Sequence, residues 1–132
     1  MSGSTDLDYL LREARPVLDP EKYVFVCQPA TYGDHADWQP IASFAEREGL
    51  TLVLRQEVAD AQTLSYDGVF QKITLQVHSS LSAVGLTAKF SGRLAANTIS
   101  ANVISGFYHD HIFVALADAE KALAVLSRLA ES

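Results

Sequence analysis

Cysteine is almost missing from this chain: Cys27 is the only one in 132 residues. A lone cysteine excludes an intrachain disulfide and any multi-cysteine metal site. It lies in the apolar run YVFVC, residues 23–27, where it reads as a buried, inert thiol rather than a nucleophile. Positive charge is scarce too. Ten Lys and Arg face sixteen Asp and Glu, a formal charge of −6, and the cations are scattered singly. Binding nucleic-acid phosphates takes a basic surface, so no nucleic-acid partner is expected. No apolar run approaches the roughly 20 residues of a membrane-spanning helix, so no membrane partner is expected either. The opening residues, MSGSTDLDY, hold neither a basic cluster nor an apolar stretch, which predicts no export signal and a cytoplasmic protein.

A catalytic constellation is also lacking. Ser79 and Ser80 with His78 and Asp110 superficially suggest nucleophile, base and orienter, but no nucleophile elbow surrounds them and adjacent Ser and His rarely face each other. Glu46, Glu48 and Asp67 read as a solvated face and turn residues rather than an acid–base pair. The expectation is a protein without enzymatic activity and without a cofactor.

What is present is an ordinary globular mix, 48% apolar and 20% charged, enough for one compact domain or two very small ones sharing a core. Leu7, Leu10, Leu11 and Ala14 follow helical spacing behind Asp6, predicting a helix over 6–15 that Pro16 stops. Residues 23–27 predict a strand, and 28–40 a long loop in which Tyr32 and Trp38 are placed to cover a pocket or an interface. Residues 41–55 read either as a hairpin or as a helix followed by a strand over 50–54. A short helix over 56–61, a turn at 66–68 and a strand over 70–77 follow. From Ser82 the period becomes helical, with stripes Ala83, Leu86, Phe90, Leu94 and Val84, Ala88, Ser91, Ala95, ending near Asn97. Strands over 99–105 and 111–116 and a helix capped by Asp118 complete the chain, with no closing strand after it. Strand, helix, strand, strand, helix is a split βαβ pattern.

The motifs VHSSLSAVGLTA and ISANVISGFYHDHIFV, residues 77–88 and 99–114, with YVFVCQP and EREGLTLVL upstream, resemble the ACT-domain proteins of a family once classed as a domain of unknown function. The resemblance covers most of the chain. It implies an α+β fold of two tandem ferredoxin-like (ACT-like) units of βαββαβ type, an antiparallel sheet with helices on one face, and it favours the hairpin at 41–55. The units implied are residues 1–66, degenerate, and 67–132. ACT domains commonly bind amino acids or other small effectors and regulate an attached enzyme; no catalytic domain accompanies the two units in these residues.

In such a sheet the first and third strands are antiparallel neighbours, which would bring residues 78–80 beside 109–111 and next to a helix start. The N–H groups of a helix start favour a carboxylate. The expected ligand-binding set is therefore His78, Ser79, Ser80, Leu81, Val84, Gly85, Asn102 and Asp110. In it Asp110 faces an ammonium, Asn102 or His78 orients the ligand, and Gly85 permits close backbone approach. Two other readings use the same stretch. His78, His109 and His111 offer three nitrogens to a metal ion, and an unclosed second unit with exposed sheet edges makes the chain a homodimeric interaction protein.

Overall fold

The computed structural model describes residues 6–80 and 82–131. In chain order its elements are α1 (Leu7–Glu13), β1 (Pro16–Leu18), β2 (Tyr23–Gln28), β3 (Ala42–Glu46), β4 (Gly49–Arg55), α2 (Gln56–Ala61), β5 (Phe70–Leu75), α3 (Leu86–Ala96), β6 (Asn102–Ser105), β7 (Asp110–Ala115) and α4 (Ala119–Leu126). They group into two compact units. One is contiguous, Glu21–Phe70; the other is discontinuous and joins the chain up to Pro20 with the chain from Gln71 onward.

The discontinuous unit answers the absence of a closing strand after α4. β1 pairs antiparallel with β5, Pro16 opposite Leu75 and Leu18 opposite Ile73. The strand order is β1-β5-β7-β6, the fourth-first-third-second order of a ferredoxin-like sheet with its last strand taken from ahead of the first. The expectation of an unclosed unit is thereby corrected. Three residues beginning with a proline carry too little alternation to announce a strand, and β5 supplies the pairing that makes them one. α1 precedes it with Asp6 as N-cap, its carboxylate accepting from the Tyr9 N–H at 3.3 Å. Leu10 is completely buried in a core built of Ile73, Leu75, Phe90, Leu94, Ile112, Val114 and Leu126 among others.

α3 starts later than its periodicity suggests. Gly85 stands at φ +102°, outside right-handed helical space, and serves as N-cap, so the helix begins at Leu86. Leu86, Phe90 and Leu94 are the buried stripe as predicted, but Val84, Ala88 and Ala95 of the adjacent stripe are exposed. α4 buries Ala119, Ala122 and Leu126, and Asp118 holds its N-cap position without a side-chain bond to the helix.

In the contiguous unit β4 is central, paired antiparallel with β2 on one side and β3 on the other, while Phe70 pairs with Tyr23 at the far side of β2. Residues 41–55 thus form a hairpin, with Glu46 opposite Gly49 across a two-residue connection. Gly49 is required there, because a Cβ would stand 2.7 Å from the Gln28 carbonyl oxygen. Val24, Val26, Leu50, Leu52, Leu54 and Ala59 form the core, and Trp38 packs against it. The first crossover helix of a ferredoxin-like unit is absent here: between β2 and β3 the described chain has one short 3₁₀ turn, Ala36–Trp38. Cys27 is exposed, not buried as its apolar run suggests. It alternates with Val24 and Val26, so it takes the face away from this core.

Candidate functional site

The geometry starts from β7. Its alternation turns Asp110, Ile112 and Val114 inward, so a carboxylate occupies a position that the pattern gives to an apolar side chain. Asp110 is 7% exposed and is the one buried polar or charged residue among those described. Its Oδ1 accepts from the Ser105 hydroxyl at 2.7 Å, an arrangement set by the β6–β7 register, in which Ser105 is opposite Asp110. Gly106 follows, its N–H bonded to the His109 carbonyl at 2.9 Å.

β5 approaches the same place. Beyond its end, Ser79 and Ser80 line a cavity of about 70 Å³ with Ala83, Leu86, Thr87, Ser105, Gly106 and Asp110. Ser80 Oγ accepts from the Ser82 N–H at 3.1 Å, so Ser80 organises the turn and does not cap the helix. No side chain caps α3, and no acidic residue lies in its first turn. The first N–H groups of a helix have no intrahelical partner, and Leu86 and Thr87 of this first turn line the cavity together with the serines and the Asp110 carboxylate.

Of the eight residues expected to bind a ligand, three line this cavity: Ser79, Ser80 and Asp110. His78 lies just outside it, its ring 4.9 Å from that of Tyr108 and 6.2 Å from that of Phe107; both partners are more than half exposed. Leu81 lies outside the described residues. Val84 is 84% exposed. Gly85 meets the Leu7 side chain, 3.0 Å from where a Cβ would be, so it admits packing between α1 and the start of α3 at that point. Asn102 stands at the opposite end of β6 from Ser105, opposite Phe113, whose carbonyl accepts from its amide at 3.3 Å. Thr87, Ser105 and Gly106 were not anticipated. Ser105 was legible in principle, since a hairpin turning at residues 106–109 pairs it with Asp110.

The trio of histidines separates. His111 Nδ1 is 2.9 Å from the Thr74 hydroxyl, His109 Nδ1 is 3.5 Å from the Val77 carbonyl, and His78 joins the aromatic pair. Among the described residues no three His, Cys, Asp or Glu side chains are grouped to hold a metal ion, and the three-histidine reading is corrected. Burial first, then the positive charges of Lys72 and His109, hold the His111 imidazole below its ordinary value of 6.5, with Asp110 opposing. Among the described residues no helix is long and apolar enough to cross a membrane.

Comparison with known proteins agrees with this architecture. A family profile described as ACT domain matches residues 2–71, and a second of the same description matches residues 71–128. The crystal structure of a Vibrio cholerae protein of unknown function, a possible transport protein, is 47% identical over 95% of this chain and 96% of that one, with a TM-score of 0.87. The regulatory subunit of aspartate kinase from Thermus flavus shares the fold at 11% identity, TM-score 0.62, over 99% of this chain and 100% of that one. An Agrobacterium tumefaciens protein shares it at 20% identity, TM-score 0.64, over 83% of this chain and 81% of that one. No curated protein matches the chain. Two ACT profiles in tandem and a 47% identical structure along nearly the full length establish that this chain belongs to the ACT-domain family.

Proposed function

We propose that the chain is a regulatory module, not a catalyst, that binds a free amino acid at the corner formed by Ser79, Ser80, Thr87 and Asp110. Tandem ACT domains and regulatory-subunit neighbours support a ligand-binding regulatory module. The observation that carries the amino-acid reading is the buried Asp110 carboxylate beside an uncapped helix start. An α-carboxylate meets the N–H groups of α3 and the hydroxyls of Ser79, Ser80 and Thr87, while an α-ammonium meets Asp110. About 70 Å³ accommodates this head group alone. The ligand's side chain then leaves past Val84 towards His78, Phe107 and Tyr108, which select among amino acids. In the same proposal the chain acts in the cytoplasm, and it works as a homodimer.

The test is a thermal-shift and calorimetric panel of the twenty amino acids on the intact chain. A ligand present at a hundred times its Kd stabilises by about 2.7 kcal/mol. One or a few amino acids are expected to do so, and Asp110→Asn, which retains an acceptor for Ser105, is expected to lose the effect. If no amino acid shifts stability, or if the variant responds as the wild type does, the reading is wrong.

A further inference from the structure

A hollow of the contiguous unit lies where a ferredoxin-like crossover helix would pack. The loop between β2 and β3 covers this part of the sheet incompletely and leaves a cavity of about 410 Å³, within the roughly 300–1,000 Å³ of small-molecule sites. Leu50 and Leu52 of β4 line its sheet side, and Ser43 of β3 joins them because it is the register partner of Leu52. Tyr32, His35 and Gln39 of the loop line the other side.

That loop is held in shape by bonds of its own. The Thr31 N–H and hydroxyl donate to the Asp34 carboxylate at 2.9 and 3.1 Å and hold it below the usual carboxylate range. The N–H groups of Ala36, Trp38 and Gln39 bond to the carbonyls of Gly33, His35 and Ala36. His35 stacks on Trp38, ring centroids 3.8 Å apart and 13° from parallel, and Trp38 rests on the core. Gln39 is fixed at φ 52°, ψ 54°, the left-handed region that a side chain other than glycine enters at a cost. A strained residue kept in the lining of a preformed cavity is the kind of feature that a binding site retains.

Chemistry narrows the occupant. Among the described residues no Asp, Glu, Lys or Arg lines the cavity, so an anion or a zwitterion would be desolvated there without a counter-charge. Tyr32, 83% exposed, offers its ring face to a flat ring, with Ala36 and Pro40 in the same lining, while Leu50 and Leu52, each 2% exposed, close the floor behind them. The Gln39 amide presents donor and acceptor side by side, complementary to an amide-like ring edge, and Ser43 and His35 add single hydrogen bonds. We infer that residues 21–70 hold a second small-molecule site, for an uncharged planar heterocycle of the nucleobase or nucleoside kind. It is built from other residues than the amino-acid corner and does not depend on that reading.

Isotope-labelled intact chain titrated with adenosine and with uridine tests it, with ribose and adenosine monophosphate as comparators. One nucleoside is expected to shift the amide signals of Tyr32, His35, Gln39 and Ser43 saturably, ribose is expected to leave them in place, and the monophosphate is expected to bind more weakly than adenosine. Ser43→Phe, which fills the cavity, is expected to weaken binding by roughly tenfold or more. Gln39→Gly keeps the backbone conformation, removes the amide and is expected to weaken binding too, which preserves the test should Ser43→Phe misfold. Absence of saturable shifts up to about 10 mM nucleoside, shifts confined to other residues, a monophosphate that binds more tightly than adenosine, or binding indifferent to both substitutions would falsify the inference.

Discussion

His111 and Asp110 are sequence neighbours with opposite environments. Asp110 faces the core side of β7 and takes a bond from Ser105; His111 takes the other face and meets Thr74. Because burial and the charges of Lys72 and His109 hold the folded imidazole below 6.5, the unfolded chain takes up a proton that the folded chain refuses. Stability therefore declines as pH falls through 6.5 and levels off only below the folded-state value. Urea midpoints measured between about pH 7 and 5 are expected to fall less steeply in His111→Gln than in the wild type. An equal slope in the two proteins would assign the dependence to other groups. At this scale the sequence showed which residues stand out but not where they point. Asp110 was legible because a carboxylate opening an apolar run must be accommodated. Gly85 and Asn102 were not, since their partners, Leu7 and the Phe113 carbonyl, belong to other elements.

Among the elements, long periodic segments were read well and short or conditional ones poorly. The stripe Leu86, Phe90, Leu94 and the six residues of α2 follow from spacing and composition. The hairpin of β3 and β4 was undecidable from period alone, because Ile41, Phe44 and Ala45 suit a helix as well as Ile41, Ser43 and Ala45 suit a strand; pairing with β2 decides it. β1 was invisible. Its importance exceeds its length, since α1 and β1 bring Leu10 and Leu18 to the core around Phe90. Deleting residues 6–18 is expected to remove that apolar contact and leave the outer edge of β5 unpaired. The shortened chain should melt well below the intact one and self-associate through the bare edge. Thermal denaturation and light scattering would show this; a truncated chain that stays monodisperse at the wild-type melting temperature would refute it.

For the molecule as a whole, composition sets expectations before any coordinates: −6 net charge and one cysteine argue against nucleic-acid grip and disulfide scaffolding. Self-association was argued from exposed sheet edges and an unclosed unit; β1 removes the second ground, while β3 and β6 still end the strand order. Phe44, 72% exposed on β3, which β4 flanks on one side, is a better-founded contact. Mass measurement of the intact chain is expected to give twice 14.4 kDa, and Phe44→Lys is expected to return it to a single chain. A monomer at micromolar concentration would end the dimer proposal.

The borrowed strand also has a consequence for the order of events during synthesis. Glu21–Phe70 is contiguous and can collapse as soon as it leaves the ribosome. The segment made before it cannot, because Leu18 waits for Ile73 and Leu10 waits for the helices after that, a separation of roughly fifty residues or more. α1, made before that unit, is thus sheltered after it. For that interval Leu7, Leu10 and Leu11 are open to whatever holds nascent chains, and a segment made before Glu21–Phe70 finds its partners only after it.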